Sequence, residues 1–418
     1  MTSAPKTNWS KTFAYSFRDC RSPSSMEELQ GAVRSSRTIK VLGSRHSFNA
    51  IADGETALML AGIPIAPVLN AEKSEVSIAG HATYGELATY LTAHGLAVHN
   101  LASLPHISIA GAIATATHGS GRKNGNLATS VAALEFVTAD GTIVETRRGD
   151  PEFEGMVVHL GALGVVTRIT LDVEPEYRIV QNVYEGLSWD ALFENLEEIM
   201  DGGYSVSVFT HWRNHAGQIW VKRKELAVYS PEDMHGARLA SVKRHPISGV
   251  DPVNATDQLG KSGLWCDRLP HFKMGFTPSN GDEIQSEFHI PFEFGSAAIK
   301  AVAAISVRFA HLVQVTEFRA VAADNLWLSP QFGQDTLSMH FTWIADPTAV
   351  EAAVREIEIA LEPFKARPHW GKVFCNRDVA SYYPMFERFR SLREQLDPHR
   401  KFSNRWLEDA VFGKNQPG

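Results

Sequence analysis

Cysteine is scarce in this sequence: Cys20, Cys266 and Cys375 are the only three among 418 residues. They are far apart, so no two have the local spacing of a zinc site or a disulfide framework. A sparse, odd set of cysteines is typical of a reducing compartment. We therefore expect a cytoplasmic protein that uses no metal.

Long hydrophobic runs and an excess of basic charge are also missing. No stretch reaches the roughly 18 apolar residues that span a bilayer, and the first residues lack the apolar core of a signal peptide. The 40 Lys and Arg residues are outnumbered by 47 Asp and Glu residues, which gives a formal net charge of −7. This balance argues against nucleic acid or an anionic membrane as a partner.

The motifs of two common enzyme classes are absent. Gly119-Ser-Gly121 begins like a dinucleotide-binding fingerprint, but the third position is Asn124 and no βαβ pattern follows. Neither Ser44 nor Ser120 lies in the Gly-x-Ser-x-Gly of a serine hydrolase. The sequence therefore favours neither an NAD enzyme nor a serine hydrolase.

What the chain does contain is three turns of small residues, at positions 41–49, 100–121 and 161–167. Glycines such as Gly43 allow a close approach to the backbone, and the N–H groups of such turns can bind phosphate oxygens. His46 is the strong nucleophile of the first turn. Three such turns within 170 residues indicate a large nucleotide cofactor.

The pattern of hydrophobic residues predicts an α+β fold with two domains, because 418 residues exceed one ordinary core. Strands are expected at 38–42, 75–79, 131–138, 142–146 and 165–173, with a hairpin at Asp140-Gly141. Thr83 and Glu86 have capping-box spacing for a helix that stops near Gly95. The candidate domain boundary is Pro175.

Beyond the boundary, longer helices alternate with strands. Helices are expected at 188–200, at 296–309 and after Asp346, and strands at 205–210 and 337–343. The stretch 228–257 is expected to be an excursion loop. A sheet covered by helices should result.

Six motifs in one order resemble the vanillyl-alcohol-oxidase-type FAD-linked oxidases, and within them the bacterial alditol (xylitol) oxidases. They are GSRHSFN at 43–49, ASLPHIS at 102–108, THGSG at 117–121, EFR at 317–319, HFTW at 340–343 and RPHWGK at 367–372. The resemblance runs from about residue 7 to 404 and is weakest at 226–257. It implies a PCMH-type FAD-binding domain at 1–175, completed by a return segment at 375–418. A sheet-and-helix substrate domain is implied at 176–374.

The resemblance also implies how the cofactor is held. His46 would bond covalently to the 8α-methyl of FAD, and with no cysteine between Cys20 and Cys266 a second link is not expected. Ala102 lies where the family controls the access of oxygen. The cofactor-binding positions implied are Gly43, Ser44, Arg45, His46, Ser47, Ala102, Ser103, Ser108, Gly111, Thr115, Thr117, His118, Gly161 and Val166. For His118, a hydrogen bond to a loop carbonyl is an alternative role.

The substrate positions implied by the resemblance are Ser103, Gln285, Glu317, Arg319, His340, Thr342 and Lys372. Lys372 and Arg319 would activate a terminal hydroxyl, Glu317 would orient its neighbour, and His340 would relay a proton. Glu317 and Arg319 alternate on one strand, so both should point to one face. Spacing alone fits a simple salt bridge between them better than catalysis.

The expected activity is oxidation of the terminal primary hydroxyl of an alditol such as xylitol or sorbitol to the aldose. Molecular oxygen would be reduced to hydrogen peroxide by a monomeric enzyme. Two alternatives stay open. One is an aldonolactone oxidase or dehydrogenase of the same superfamily, and the other is a non-catalytic sugar-binding protein with a flavin fold.

Overall fold

The computed structural model describes residues 5–227, 231–276 and 283–413. The strands before residue 176 are β1 (Asp19–Arg21), β2 (Lys40–Val41), β3 (Thr56–Leu58), β4 (Val68–Asn70), β5 (Glu75–Ala79), β6 (Leu96–Ala97), β7 (Val131–Val137), β8 (Ile143–Arg147), β9 (Val165–Asp172) and β10 (Glu174–Pro175). The helices of this part are α1 (Met26–Ser35), α2 (Tyr84–Thr92), α3 (Ile109–Ala114) and α4 (Phe153–Val157).

Three small sheets organise this first part of the chain. Strands β1, β3 and β2 form a parallel sheet, β4-β5-β9-β7-β8 form an antiparallel one, and β6 pairs with β10. The predicted hairpin is confirmed, since β7 and β8 pair around Gly141, whose φ is 84°. The capping box of Thr83 and Glu86 is also confirmed at the start of α2. The strand expected at 38–42 is shorter than predicted.

The second part of the chain contributes ten strands to one antiparallel sheet. They are β11 (Arg178–Leu187), β12 (Ser205–Thr210), β13 (Gly217–Lys224), β14 (Asp233–Met234), β15 (Ala237–Leu239), β16 (Ser262–Leu264), β17 (Glu283–Pro291), β18 (Val313–Val321), β19 (Thr336–Ile344) and β20 (Arg367–Pro368). Their order is β14-β15-β11-β13-β12-β18-β19-β17-β20, and β16 also pairs with β11. The helices are α5 (Trp189–Glu194), α6 (Leu196–Asp201), α7 (Gly295–Ile305), α8 (Pro347–Leu361), α9 (Phe386–Leu396) and α10 (Arg405–Leu407).

Three predictions for this part were incomplete. The helix expected at 188–200 is broken at Asn195, whose side-chain amide donates to the carbonyl of Ala191 and so competes with the helix backbone. The helix expected at 296–309 ends at Ile305 and continues as short 3₁₀ turns. The excursion loop contains the β14–β15 hairpin, while its residues 228–230 lie outside the described ranges.

The ten-stranded sheet has one apolar and one polar face at its centre. On β18, Phe318 packs against Trp212 on the apolar face, while Glu317 and Arg319 lie on the opposite face, as predicted. Helices α7 and α8 cover the apolar face, where α8 starts at the predicted cap, Asp346. The polar face is thereby turned toward the first part of the chain.

The end of the chain returns to the first sheets. Phe402 is buried in a small core with Leu29, Val33 and Ile39, and the N–H of Ile39 donates to the carbonyl of Lys401. The first and last segments of the chain therefore share one core.

Within the described residues, no helix is long and apolar enough to cross a membrane.

Candidate active site

A cavity of about 530 Å³ lies between the three turns of small residues and the polar face of the large sheet. Of the cofactor and substrate positions predicted from the sequence, all but Val166 line it. Val166 belongs to β9, is buried in the core and does not line the cavity, so its role as a cofactor-binding residue stays a prediction. The structure thus brings residues far apart in sequence to one site.

His46 lies in this cavity with both ring nitrogens buried, and neither has a hydrogen-bond partner within the described part of the chain. Its ring stacks on Trp9, with 4.8 Å between centroids, and the preceding Arg45 has a left-handed φ of 63°. Burial lowers the pKa of His46 to about 4, so the imidazole is neutral near pH 7. A neutral imidazole with a free lone pair is a competent nucleophile.

The first two turns touch each other directly. The hydroxyl of Ser44 accepts from the N–H of Ser108 at 2.9 Å. A Cβ added to Gly43 would lie 2.4 Å from the Ser108 hydroxyl oxygen, and one added to Gly111 would lie 2.8 Å from it. Glycine at these positions is therefore required by the close approach of the two segments.

The His46 loop also holds the loop that carries Lys372. The backbone N–H of Phe48 donates to the carbonyl of Gly371 at 2.7 Å. The Asn49 amide donates to the carbonyls of Trp370 at 2.8 Å and Lys372 at 2.7 Å. Consequently the cofactor loop fixes the backbone of the substrate loop.

Strand register arranges the polar wall of the cavity in rows. Glu317 on β18 pairs with His340 on β19, which pairs with Glu287 on β17. Two residues away on the same two strands, Gln285 on β17 pairs with Thr342 on β19. Adjacent antiparallel strands thus present a set of donors and acceptors suited to a molecule with many hydroxyls.

Glu287 is the centre of this wall, and the sequence analysis missed it. Its buried carboxylate accepts from Lys372, from Ser338, from Arg319 at 2.9 Å and from His118 at 2.9 Å. Burial alone would raise the pKa of Glu287, but Lys372, His118 and Arg319 together hold it well below its usual range. Its position two residues after Gln285 on one strand was the signal that could have found it.

The same cluster argues against a bound cation. Ligand atoms of His118, Glu287 and His289 lie within 4.8 Å of one another. Glu287, however, already pairs with Lys372 and Arg319, and a metal ion would face both positive charges. His118 also contacts the carbonyl of Gly119 at 2.8 Å, which is the alternative role considered for it.

Glu317 forms a second buried cluster. Its Oε1 lies 2.7 Å from His271 Nε2 and 3.5 Å from Arg319 Nε, while Oε2 lies 3.7 Å from His340 Nδ1. Both ring nitrogens of His340 are buried without a hydrogen-bond partner, and burial lowers its pKa to about 4. A neutral imidazole next to a carboxylate can take up a proton that the carboxylate then stabilises.

Ser103, Thr115 and Thr117 lie where the second turn of small residues meets the large sheet. Arg319 reaches the hydroxyl of Ser103 at 3.5 Å, and Thr117 lies 3.2 Å from Thr115 and 3.5 Å from His369 Nε2. These short polar groups connect the second turn to the sheet. His271 lies outside the strands, between β16 and β17, and no local pattern marks it.

The residues present fit FAD. The cavity combines a cradle of small residues with an unpaired buried imidazole at His46, and a polar wall stands opposite. Small residues let a flat ring and a pyrophosphate approach the backbone, and a free imidazole nitrogen can form the bond that the resemblance implies.

Two protein families match the chain. The FAD binding domain family matches residues 21–147, and the D-arabinono-1,4-lactone oxidase family matches residues 278–410. The first range holds the first two turns, and the second holds β17–β19 and Lys372. The two matches therefore fall on the two sides of the cavity.

Among curated relatives, alditol oxidase from a Streptomyces species is 43% identical over 97% of this chain and 99% of its own. L-gulono-1,4-lactone dehydrogenase of Mycobacterium tuberculosis is 27% identical, covering 91% of this chain and 93% of its own. L-gulonolactone oxidase of Mus musculus is 24% identical over 97% and 98%. Cholesterol oxidase from B. sterolicum has a similar structure, with a TM-score of 0.75 at 15% identity over 97% of this chain and 96% of that one.

Proposed function

Since the chain belongs to the alditol oxidases of the vanillyl-alcohol-oxidase-type FAD-linked superfamily, we propose that it oxidises the terminal primary hydroxyl of alditols such as xylitol and sorbitol. The product is the corresponding aldose. The observation that carries the proposal is the buried polar wall of Gln285, Glu317, Arg319, Thr342 and Lys372 opposite the His46 loop. The protein is a FAD-dependent oxidoreductase.

The first part of the chain would bind the cofactor. FAD, when bound, supplies the acceptor for the hydride that leaves the substrate carbon and passes the electrons on to oxygen, giving hydrogen peroxide. His46 would hold it through the 8α-methyl, because its two ring nitrogens are unpaired and its ring is neutral. Gly43, Ser108 and Gly161 would bring backbone N–H groups close to it, and the small Ala102 would leave room for oxygen.

The chain's own residues would handle the hydroxyl proton. Lys372 and Arg319 stabilise negative charge on the reacting oxygen, and Glu287 holds both cations in place. His340 accepts the proton and Glu317 stabilises the imidazolium that results. Ser103, Gln285 and Thr342 would bind the remaining hydroxyls.

The cavity is completed within one chain, which supports a monomer as the active unit. Residues 1–175 and 375–418 would form the cofactor domain, and residues 176–374 the substrate domain. The three cysteines are free, as in a protein of a reducing compartment such as the cytoplasm. The lactone oxidases are more distant relatives, so lactone oxidation is the second candidate.

A series of alcohols tests the function. Purified protein is mixed without oxygen with xylitol, glycerol, 1,2-propanediol, 1-propanol or L-gulono-1,4-lactone, and flavin absorbance is followed before oxygen is admitted and peroxide measured. Catalytic efficiency should rise with the number of hydroxyls, because each buried polar group left unpaired costs roughly 1–3 kcal/mol. Lys372→Met should slow flavin reduction about 10²–10³-fold.

The outcomes separate the candidates. Faster reduction by the lactone than by xylitol would favour the lactone oxidase, and a colourless protein would favour the sugar-binding alternative. A flat series would mean that water replaces each missing hydroxyl, and it would reject a site built for polyols.

A further inference from the structure

A buried lysine lies behind the carboxylate of Glu317. Lys222 on β13 is 1% exposed, and its ammonium donates to the carbonyl of Leu269 and lies 3.2 Å from His271 Nδ1. Burying a charge is costly unless neighbouring groups compensate it. The proposed reaction uses neither Lys222 nor His271, so their burial at this site requires another explanation.

The ring of His271 connects this lysine to the substrate wall. Its Nε2 lies 2.7 Å from Glu317 Oε1. Phe209 and Trp220 contact the ring edge-on, with centroids 5.3 Å and 5.7 Å away, and so fix its plane. The N–H of Thr256 donates to the backbone carbonyl of His271. Backbone and ring are thus both held.

The donors and acceptors select one tautomer of His271. An ammonium only donates, so wherever Lys222 is charged, His271 Nδ1 must accept from it and cannot carry the proton. The proton is then on Nε2, which donates to Glu317 Oε1. In the other tautomer, an N–H would face the ammonium and a lone pair would face the carboxylate, and both contacts are repulsive.

We propose that Lys222 and His271 are positioning residues for Glu317: the lysine selects the imidazole tautomer that holds one carboxylate oxygen and leaves the other for a substrate hydroxyl. Glu317 Oε1 is occupied by His271 and faces Arg319, whereas Oε2 has His340 at 3.7 Å as its nearest charged or titratable neighbour. This inference rests on the proposed function, since it concerns how the alditol site is held.

The charges around His271 keep the ring neutral, so its tautomer matters at neutral pH. Burial, together with the positive charges of Lys222 and Arg319, lowers the pKa of His271 to about 4. The carboxylate of Glu317 opposes this shift. Burial also lowers the pKa of Lys222 to about 7, against the opposing charge of Glu317. Loss of the Lys222 charge would therefore allow His271 to take up a proton more readily.

The variant Lys222→Met gives a distinctive pH dependence. Between the pKa values of His271 and Lys222, the charged lysine of the parent selects one tautomer, whereas the ring of the variant is free to adopt either. Xylitol should there reduce the flavin of the variant roughly 10- to 100-fold more slowly, because a hydrogen bond to a charged group is lost. Toward acid pH the defect should shrink, because the pKa of His271 is raised and an imidazolium donates from Nε2 whatever the tautomer. A purely structural defect would not vary in this way.

Two further variants sharpen the test. His271→Gln keeps a side-chain N–H donor but cannot titrate, so in that background Lys222→Met should add no pH-dependent loss. Lys243→Met is the matched control: Lys243 pairs with Asp257 at 2.9 Å, away from the cavity, and the rate should stay near that of the parent.

Nitrogen-15 NMR of labelled histidine reads the tautomer without any substrate. The resonance that disappears in His271→Gln should show protonated Nε2 in the parent and a changed tautomer in Lys222→Met. An unchanged tautomer, or a loss of rate that is independent of pH, would overturn the inference. If no alditol reduces the parent flavin, the proposed function fails, and the tautomer still decides whether Lys222 orients His271.

Discussion

Two histidines of the cavity, His46 and His340, have ring nitrogens without a hydrogen-bond partner among the residues that the structure describes. Buried polar atoms are almost always hydrogen-bonded, so such unpaired atoms mark places where a ligand belongs. Burial lowers the pKa of both rings to about 4, which keeps them neutral. His46 lies on the loop after β2 and His340 on the polar wall, so the function proposed above assigns the cofactor to one ring and the substrate to the other.

Replacing His46 tests its bond to the cofactor. After acid precipitation, the unmodified protein should keep its yellow colour in the pellet, because a covalent flavin cannot dissociate when the fold is lost. In His46→Ala the flavin should appear in the supernatant or be absent from the start. His94→Ala, on the surface helix end, is the control and should behave like the parent. Free flavin released from the unmodified protein would contradict the assignment.

At the scale of elements, the His46 loop contacts the Lys372 loop, and these are the two segments proposed to bind the cofactor and the substrate. Asn49 makes it with one side chain: its amide donates to the carbonyls of Trp370 and Lys372, and its oxygen accepts from the N–H of Ile51. No charge is involved. Together with the bond from the Phe48 N–H to Gly371, this amide holds the backbone at Lys372.

The isosteric change Asn49→Asp should separate the donor role of this side chain from its acceptor role. The carboxylate can still accept from Ile51 but cannot donate, so two carbonyls lose their donor at a cost of roughly 1–3 kcal/mol each. Flavin reduction by xylitol should slow at least tenfold, and chemical denaturation should show a lower free energy of unfolding. Asn70→Asp, where an exposed side chain only accepts from Lys73, should change neither quantity. Equal behaviour of the two variants would show that the loop contact is dispensable.

The sequence predicted those elements whose signals are local. The capping box at Thr83, the Asp-Gly hairpin and the cap at Asp346 each depend on residues within a few positions, and the structure has all three. The break at Asn195 was missed because the surrounding apolar spacing continues through it.

The prediction of site residues also depended on whether their signal was local in the sequence. The predicted site residues line the cavity with the exception of Val166, and most of them lie inside the six motifs. Glu287 and Lys222 were not predicted, because their neighbours are set by which strands pair and in what register. His271 lies in the connection between β16 and β17 and meets Glu317 and Lys222 only through the tertiary fold. Single-chain periodicity carries no information on register between strands distant in sequence.

At the scale of the whole molecule, the return segment contributes Phe402 to the small core that contains residues of α1. Phe402 is 1% exposed among Leu29, Val33 and Ile39, and Lys40 donates to the carbonyls of both Phe402 and Gly161. The third small-residue turn, the start of the His46 loop and the end of the chain are thereby held by one buried amine. The cofactor side of the cavity depends on residues separated by most of the sequence.

Phe402→Ala measures this dependence. Truncation of a buried phenylalanine costs about 3–5 kcal/mol, so the free energy of unfolding should fall by that amount in chemical denaturation. Phe294→Ala is the matched control, since Phe294 is 45% exposed and its loss should cost far less. If the two variants lose equal stability, the return segment does not complete the core.

The position of Phe402 has a consequence for biosynthesis. A chain leaves the ribosome from its amino end, so α1 and the loop after β2 emerge long before Phe402, which packs against α1. Until Phe402 has been synthesised, the small core with Leu29, Val33 and Ile39 is incomplete. We therefore expect the nascent chain to retain FAD only after this residue has emerged, and the apolar residues of α1 stay exposed to aggregation until then.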